Sequence, residues 1–103
     1  MNYKTLRETI NQNLNTFEAN KRFLEHNIGI DVTRAGHFRV RTNDNNPSCI
    51  INKDGSFHDF GSGEHYSDMV SLIFDGYRAF DSLSDTMKWL CEELNINCEA
   101  SNE

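Results

Sequence analysis

The sequence predicts an α+β fold, a small antiparallel β-meander over about residues 36–60 flanked by N-terminal helices and two C-terminal helices. Three observations predict it. Apolar residues recur at three- and four-residue steps near both ends of the chain, the period of a helix with one buried face. Between them, apolar and polar side chains alternate, the period of a strand. Asn52-Lys53-Asp54-Gly55, set between two alternating stretches, supplies the chemistry of a tight turn.

The elements follow in order. Tyr3, Leu6, Ile10, Leu14 and Phe17 fall on one helical face, and Thr5 with Glu8 is a weak capping-box signal. A second short helix is expected from Ala19 to His26, with Phe23 and Leu24 inward and Asn27 and Gly29 as C-cap residues that tolerate the left-handed conformation. In residues 37–41, Phe38 and Val40 share one strand face; His37, Arg39 and Arg41 share the other. A polar loop over residues 42–47 precedes a second strand at 48–51, and residues 56–60 form the returning strand after the turn at Gly55. Ser67 is expected to cap a helix burying Met69, Leu72 and Ile73 and stopping at Gly76. Ser82, with Asp85 three residues on, opens the last helix, whose inward stripe is Leu83, Met87, Leu90 and Leu94. Residues 97–103 read as a frayed polar tail, and there is no internal repeat or linker.

Length and composition bound the rest. With 103 residues, 37% hydrophobic and 11% aromatic, the chain is sized for one domain (1–103) with a core of its own. No apolar run approaches the roughly 18 residues of a membrane span, and the N-terminus has no signal-like hydrophobic stretch, so no membrane and a cytoplasmic location are expected. The three cysteines, Cys49, Cys91 and Cys98, form no CxxC pair, which argues against a disulfide framework and fits a reducing compartment. The net charge of −6 is unevenly spread: residues 1–53 carry +3 and residues 54–103 carry −9. Phosphate contacts dominate nucleic-acid affinity, so a nucleic-acid site on so acidic a chain must be local.

The most specific string is Phe57-His58-Asp59-Phe60-Gly61-Ser62-Gly63. With Ala35-Gly36-His37-Phe38 and Pro47-Ser48-Cys49 before it, and Phe80-Asp81-Ser82-Leu83 leading into Trp89-Leu90-Cys91-Glu92-Glu93-Leu94 after it, residues 34–96 resemble the zinc-binding domain of bacterial and phage DNA primases, the CHC2 type. The resemblance implies a zinc-ribbon-like domain and a role in reading single-stranded template where primers begin. It also shows a departure. The family's second ligand pair falls on Asp59 and Ser62, and its first near Arg39 and Thr42, so no cysteine stands at a ligand position. A structural zinc needs about four Cys/His ligands held together; the remaining candidates, His37, Cys49, His58 and His65, show no paired spacing in the sequence. No metal and no other cofactor are therefore expected, with Cys49 a small buried hydrophobe and His58 packed at a strand edge. Gly61 and Gly63 keep the knuckle turn, and Phe57 and Phe60 are expected to fill the space beside the lost ion.

On this reading the nucleic-acid-binding residues are Arg34, His37, Arg39, Arg41, Lys53 and Phe57: basic side chains for phosphate and an aromatic for unpaired bases. The competing reading of the same residues is a solvated strand face over a core. The helical segment 1–30 is the expected docking element, with Tyr3, Leu6, Arg7, Ile10 and Trp89 as partner-binding residues. Asp54, Asp59 and Asp68 are scattered, and the sequence holds no Gly-rich phosphate loop, nucleophile elbow or HExxH, so no catalysis is expected. The leading expectation is a replication accessory protein of phage or mobile-element type that binds single-stranded DNA and docks on a polymerase, primase or helicase. A second is a protein–protein adaptor or inhibitor working through the acidic half. A third, weaker one is a metal-binding regulator with off-pattern ligands.

Overall fold

The computed structural model describes residues 3–40 and 48–96. Arg41, the polar loop and the expected frayed tail lie outside the described residues. Helix α1 (Tyr3–Asn13) buries Leu6 and Ile10, with Leu14 following them into the core. Thr5 lies within α1, so the Thr5–Glu8 capping box does not form. The Thr16 hydroxyl instead caps α2 (Phe17–Phe23), accepting the Ala19 N–H at 3.1 Å. α2 runs on into a wider π turn at Leu24–Ile28 and stops at Gly29, whose φ of +84° is open to glycine at no steric cost.

Four short strands form one antiparallel sheet in the order β1 (His37–Phe38), β2 (Cys49–Ile51), β3 (Phe57–Asp59), β4 (His65–Tyr66). β4 has no counterpart in the sequence reading, because two residues after a Gly/Ser turn are too few to show a period. The register pairs Phe38 with Cys49 and Cys49 with Asp59; Ile51 faces Phe57, and Phe57 faces Tyr66. All of these side chains are buried, so they define the inner face of the sheet. The alternate row, His37, Ile50, His58 and His65, is half-buried or exposed and defines the outer face.

Helix α3 (Met69–Ser71) is capped by Asp68 rather than Ser67, and widens into a π segment, Leu72–Tyr77. It ends not at Gly76 but at Arg78, which takes φ +55°. Gly76 has another role: a Cβ there would come within 3.3 Å of the Tyr66 ring, so its bareness lets the helix pack against β4. Helix α4 (Leu83–Leu94) starts as expected, with the Ser82 hydroxyl accepting the Asp85 N–H at 3.1 Å, and buries Met87, Leu90 and Cys91. α1 and α3 pack on α4, and their apolar sides join the inner face of the sheet in one core.

Two polar ties fix the layers. Asp68 accepts the Ser71 N–H at 2.8 Å, a two-pronged contact from Arg7 at 2.9 and 3.0 Å, and the Asn11 amide at 2.8 Å. One carboxylate thus caps α3 and holds α1 against it. The fully buried Asn20 side chain donates to the carbonyls of Leu14 and Thr16, and at 3.4 Å to that of Gly55, seating the β2–β3 turn on the α1–α2 connection. Gly55 has φ +91°, and a Cβ there would stand 3.0 Å from the Asn15 backbone.

Burial pushes the Asp68 carboxyl up, but the hydrogen bonds from Arg7, Ser71 N–H and Asn11 outweigh it and hold the group below the usual carboxylate range. A carboxyl depressed in the folded state stabilises the fold fully above its unfolded pKa and loses that contribution as pH falls through its folded value. Urea unfolding is therefore expected to show stability declining below about pH 4, with a shallower decline in Asp68→Asn. At neutral pH, Asp68→Ala is expected to cost about 2–3 kcal/mol, since it strands Arg7, Asn11 and the α3 cap together. Gly55→Ala is expected to cost about 1–3 kcal/mol by the same measurement, through its left-handed φ and the backbone contact.

Candidate nucleic-acid interface

The knuckle-like string forms a tight turn between β3 and β4. Strand alternation decides what each residue does. Phe57 and Asp59 point inward, His58 outward, and Phe60 lies just past the strand end. Asp59 is fully buried, and its Oδ1 accepts the Gly61 N–H at 2.9 Å, the Ser62 N–H at 3.4 Å and the Ser48 hydroxyl at 3.0 Å. The Gly63 N–H closes the turn on the Asp59 carbonyl at 2.7 Å, with Gly63 at φ +79°. A carboxylate accepting from the turn's own N–H groups gathers that turn by short-range hydrogen bonds.

The family's zinc does not fit this turn. The Asp59 carboxylate is committed to donors of the turn and of Ser48, and Ser62 Oγ accepts the Glu64 N–H at 3.2 Å. Among the described residues no three His, Cys, Asp or Glu side chains gather around a common point. Cys49 and Cys91 are buried and unbridged, and Cys49 lies beside Tyr77. Burial first, then the nearby Cys49 thiol, push the Tyr77 phenol well up, so it stays protonated and donates to the Arg39 carbonyl at 2.8 Å.

Phe57, expected to stack on bases, is wholly buried in edge contact with Phe38 at 5.9 Å, so it is corrected from the interface to the core. The aromatic exposed beside the outer face is Phe60. The residue is 65% exposed, and its ring stands edge-on to His58, centroids 4.6 Å apart, rather than filling space inside the fold. His58 is correspondingly on an interior strand of the sheet, not at its edge. The signal was available: His58 and Phe60 are two residues apart, as are Phe57 and Asp59, so Phe57 cannot share a face with His58.

The register places the remaining residues. His37, Ile50, His58 and His65 cross the outer face in one row. Arg39 is exposed and follows β1 toward the end of the sheet where Phe60 donates its N–H to the Ser48 carbonyl at 2.8 Å. Arg34 and Lys53 are exposed toward the opposite end, on the turn before β1 and the turn between β2 and β3. The Arg34 turn is set by Thr33, which exchanges backbone and hydroxyl bonds with His37 at 2.9 Å. Basic groups thus bracket a row of imidazoles with one exposed ring.

The expected partner-binding set is mostly not on the surface. Leu6 and Ile10 are core residues, because the apolar stripe of α1 is spent on the core against α4; Arg7 is engaged by Asp68. Trp89 is half-buried between Phe23 and Phe80, with ring centroids at 5.9 and 5.6 Å. Of that set only Tyr3 is broadly exposed, at 51%. The sequence reading missed an open groove of about 890 Å³ beside β4, walled by Phe74 and Phe80 and edged by Glu64, Asp75, Arg78 and Asp81. No family model, curated protein or solved structure matches the chain.

Phe57→Ala and Phe60→Ala are expected to separate the two rings in a thermal or urea melt. The first should cost about 3–5 kcal/mol as a core truncation; the second should change stability by no more than about 0.5 kcal/mol.

Proposed function

We propose that the protein is a non-catalytic DNA replication accessory that binds single-stranded template on the outer face of its sheet and supports primer synthesis by a polymerase, primase or helicase partner. The observation that carries the binding half is Phe60, an exposed ring braced by His58 at the Arg39 end of a face that Arg34 and Lys53 flank at the other. Single strands are gripped by this combination: cations follow the phosphates while aromatic faces stack unpaired bases without regard to sequence. The acidic remainder of the chain opposes spread-out contact with duplex, which confines binding to this face. The replication context rests on the resemblance of residues 34–96 to the primase domain.

The groove beside β4 supports a second reading, a protein adaptor or inhibitor. Its rim carries three carboxylates, Glu64, Asp75 and Asp81, against one cation, Arg78, over aromatic walls, a surface suited to a basic segment of a partner. Competition separates the two readings: an accessory forms a joint complex with partner and DNA, whereas an inhibitor displaces the DNA.

Fluorescence anisotropy with a labelled oligothymidylate is expected to show binding at low salt that weakens steeply as salt rises. Phe60→Ala should cost about 1–3 kcal/mol of binding free energy. Arg34→Ala with Arg39→Ala should flatten the salt dependence by roughly 0.7 in log–log slope per lost phosphate contact. Absence of binding at low salt, with and without a partner, removes the template-reading half.

A further inference from the structure

His58 and His65 are register partners on β3 and β4. The neighbouring pair is hydrogen-bonded, the Asp59 N–H reaching the Glu64 carbonyl at 2.9 Å. Pairs alternate along an antiparallel ladder, so 58 and 65 occupy a non-hydrogen-bonded position, where facing side chains stand closest. Their ring centroids are 6.5 Å apart with the planes tilted by 46°. Among the described residues neither imidazole enters a hydrogen bond or an ion pair; His58 stands against the rings of Phe60 and His65 and beside its register partner Ile50, and His65 is exposed on the edge strand. Two imidazoles therefore face solvent side by side on a backbone frame that holds them there.

We propose that His58 and His65 form a solvent-open binding site for a divalent transition metal, with zinc as the reference ion. Imidazole nitrogen is a preferred ligand for zinc, copper and nickel. Zinc–nitrogen bonds of about 2.0–2.1 Å place two ligating rings roughly 5–6 Å apart, a small side-chain rotation from the spacing in the free protein. His37 lies on the same row but two strands from His58, roughly 10 Å away, and cannot join them. With two protein ligands and water completing the shell, the site is exchangeable, unlike a closed structural zinc. It is also separate from the primase ligand positions, since Asp59 faces the core. A bound ion would clip β4 to β3 and add positive charge beside Phe60. The site stands on the histidine geometry and does not depend on nucleic-acid binding.

The test is zinc binding by the full chain alone, using equilibrium dialysis and a thermal melt with and without zinc chloride, with circular dichroism to confirm folding. The wild type should take up one equivalent saturably and melt at a higher temperature with zinc, reversed by chelator. Outer-sphere partners alone are worth about 10–100-fold in metal affinity, so His58→Ala and His65→Ala should each lose at least about tenfold. His37→Ala, on the same face, should bind like the wild type. The proposal is overturned if the wild type takes up no zinc, if it takes up half an equivalent as a dimer, if both single variants bind like the wild type, or if His37→Ala loses as much as they do.

Discussion

Asp68 joins the beginning of the chain to its second half. Its carboxylate meets Arg7 and Asn11 from α1 while capping α3, contacts that span 57 to 61 residues of sequence. The sheet consists of strands two or three residues long, too short to hold themselves together. Their inner face joins the apolar sides of the helices in one core, with α2 against β2 and the Leu72–Tyr77 segment against β4, and Asp68 ties α1 to the start of α3. The apolar stripe of α1 supplies the area and Asp68 supplies the register. That placement also explains why α1 presents little apolar surface outward: Leu6 and Ile10 are already used by the core.

The turn between β3 and β4 solves a related problem on a smaller scale. A knuckle braced by metal draws its backbone in around an ion; here the Asp59 carboxylate draws in Gly61 and Ser62 from inside the fold. An isolated buried carboxylate would be costly, and its partners are what make the position tolerable. Because Asp59 and Phe57 turn inward, His58 must turn outward. The brace and the outer face are thus two consequences of one alternating strand.

The molecule presents two chemically different surfaces. The outer sheet face carries imidazoles and an exposed ring with cations at either end, and the groove beside β4 carries carboxylates over aromatic walls. His65 belongs to both, as the last member of the outer row and part of the groove lining.

The sequence by itself determined the α+β class, the start of the last helix at Ser82, the turn at Gly55 and the stop at Gly29, because caps, turns and helical stripes are local physics written in residues a few positions apart. It determined that Cys49 is buried. It also held, unread, the assignment of Phe60 rather than Phe57 to the outer face, since that needs only a period of two. What the tertiary structure alone decided is everything that depends on partners far along the chain. β4 is too short to signal itself, the Asp68 clamp joins residues some 60 positions apart, Gly76 serves packing against Tyr66 instead of ending a helix, and His58 meets His65 only because an antiparallel register folds one back onto the other. Register is set by the packing of the whole inner face, and no local pattern carries it.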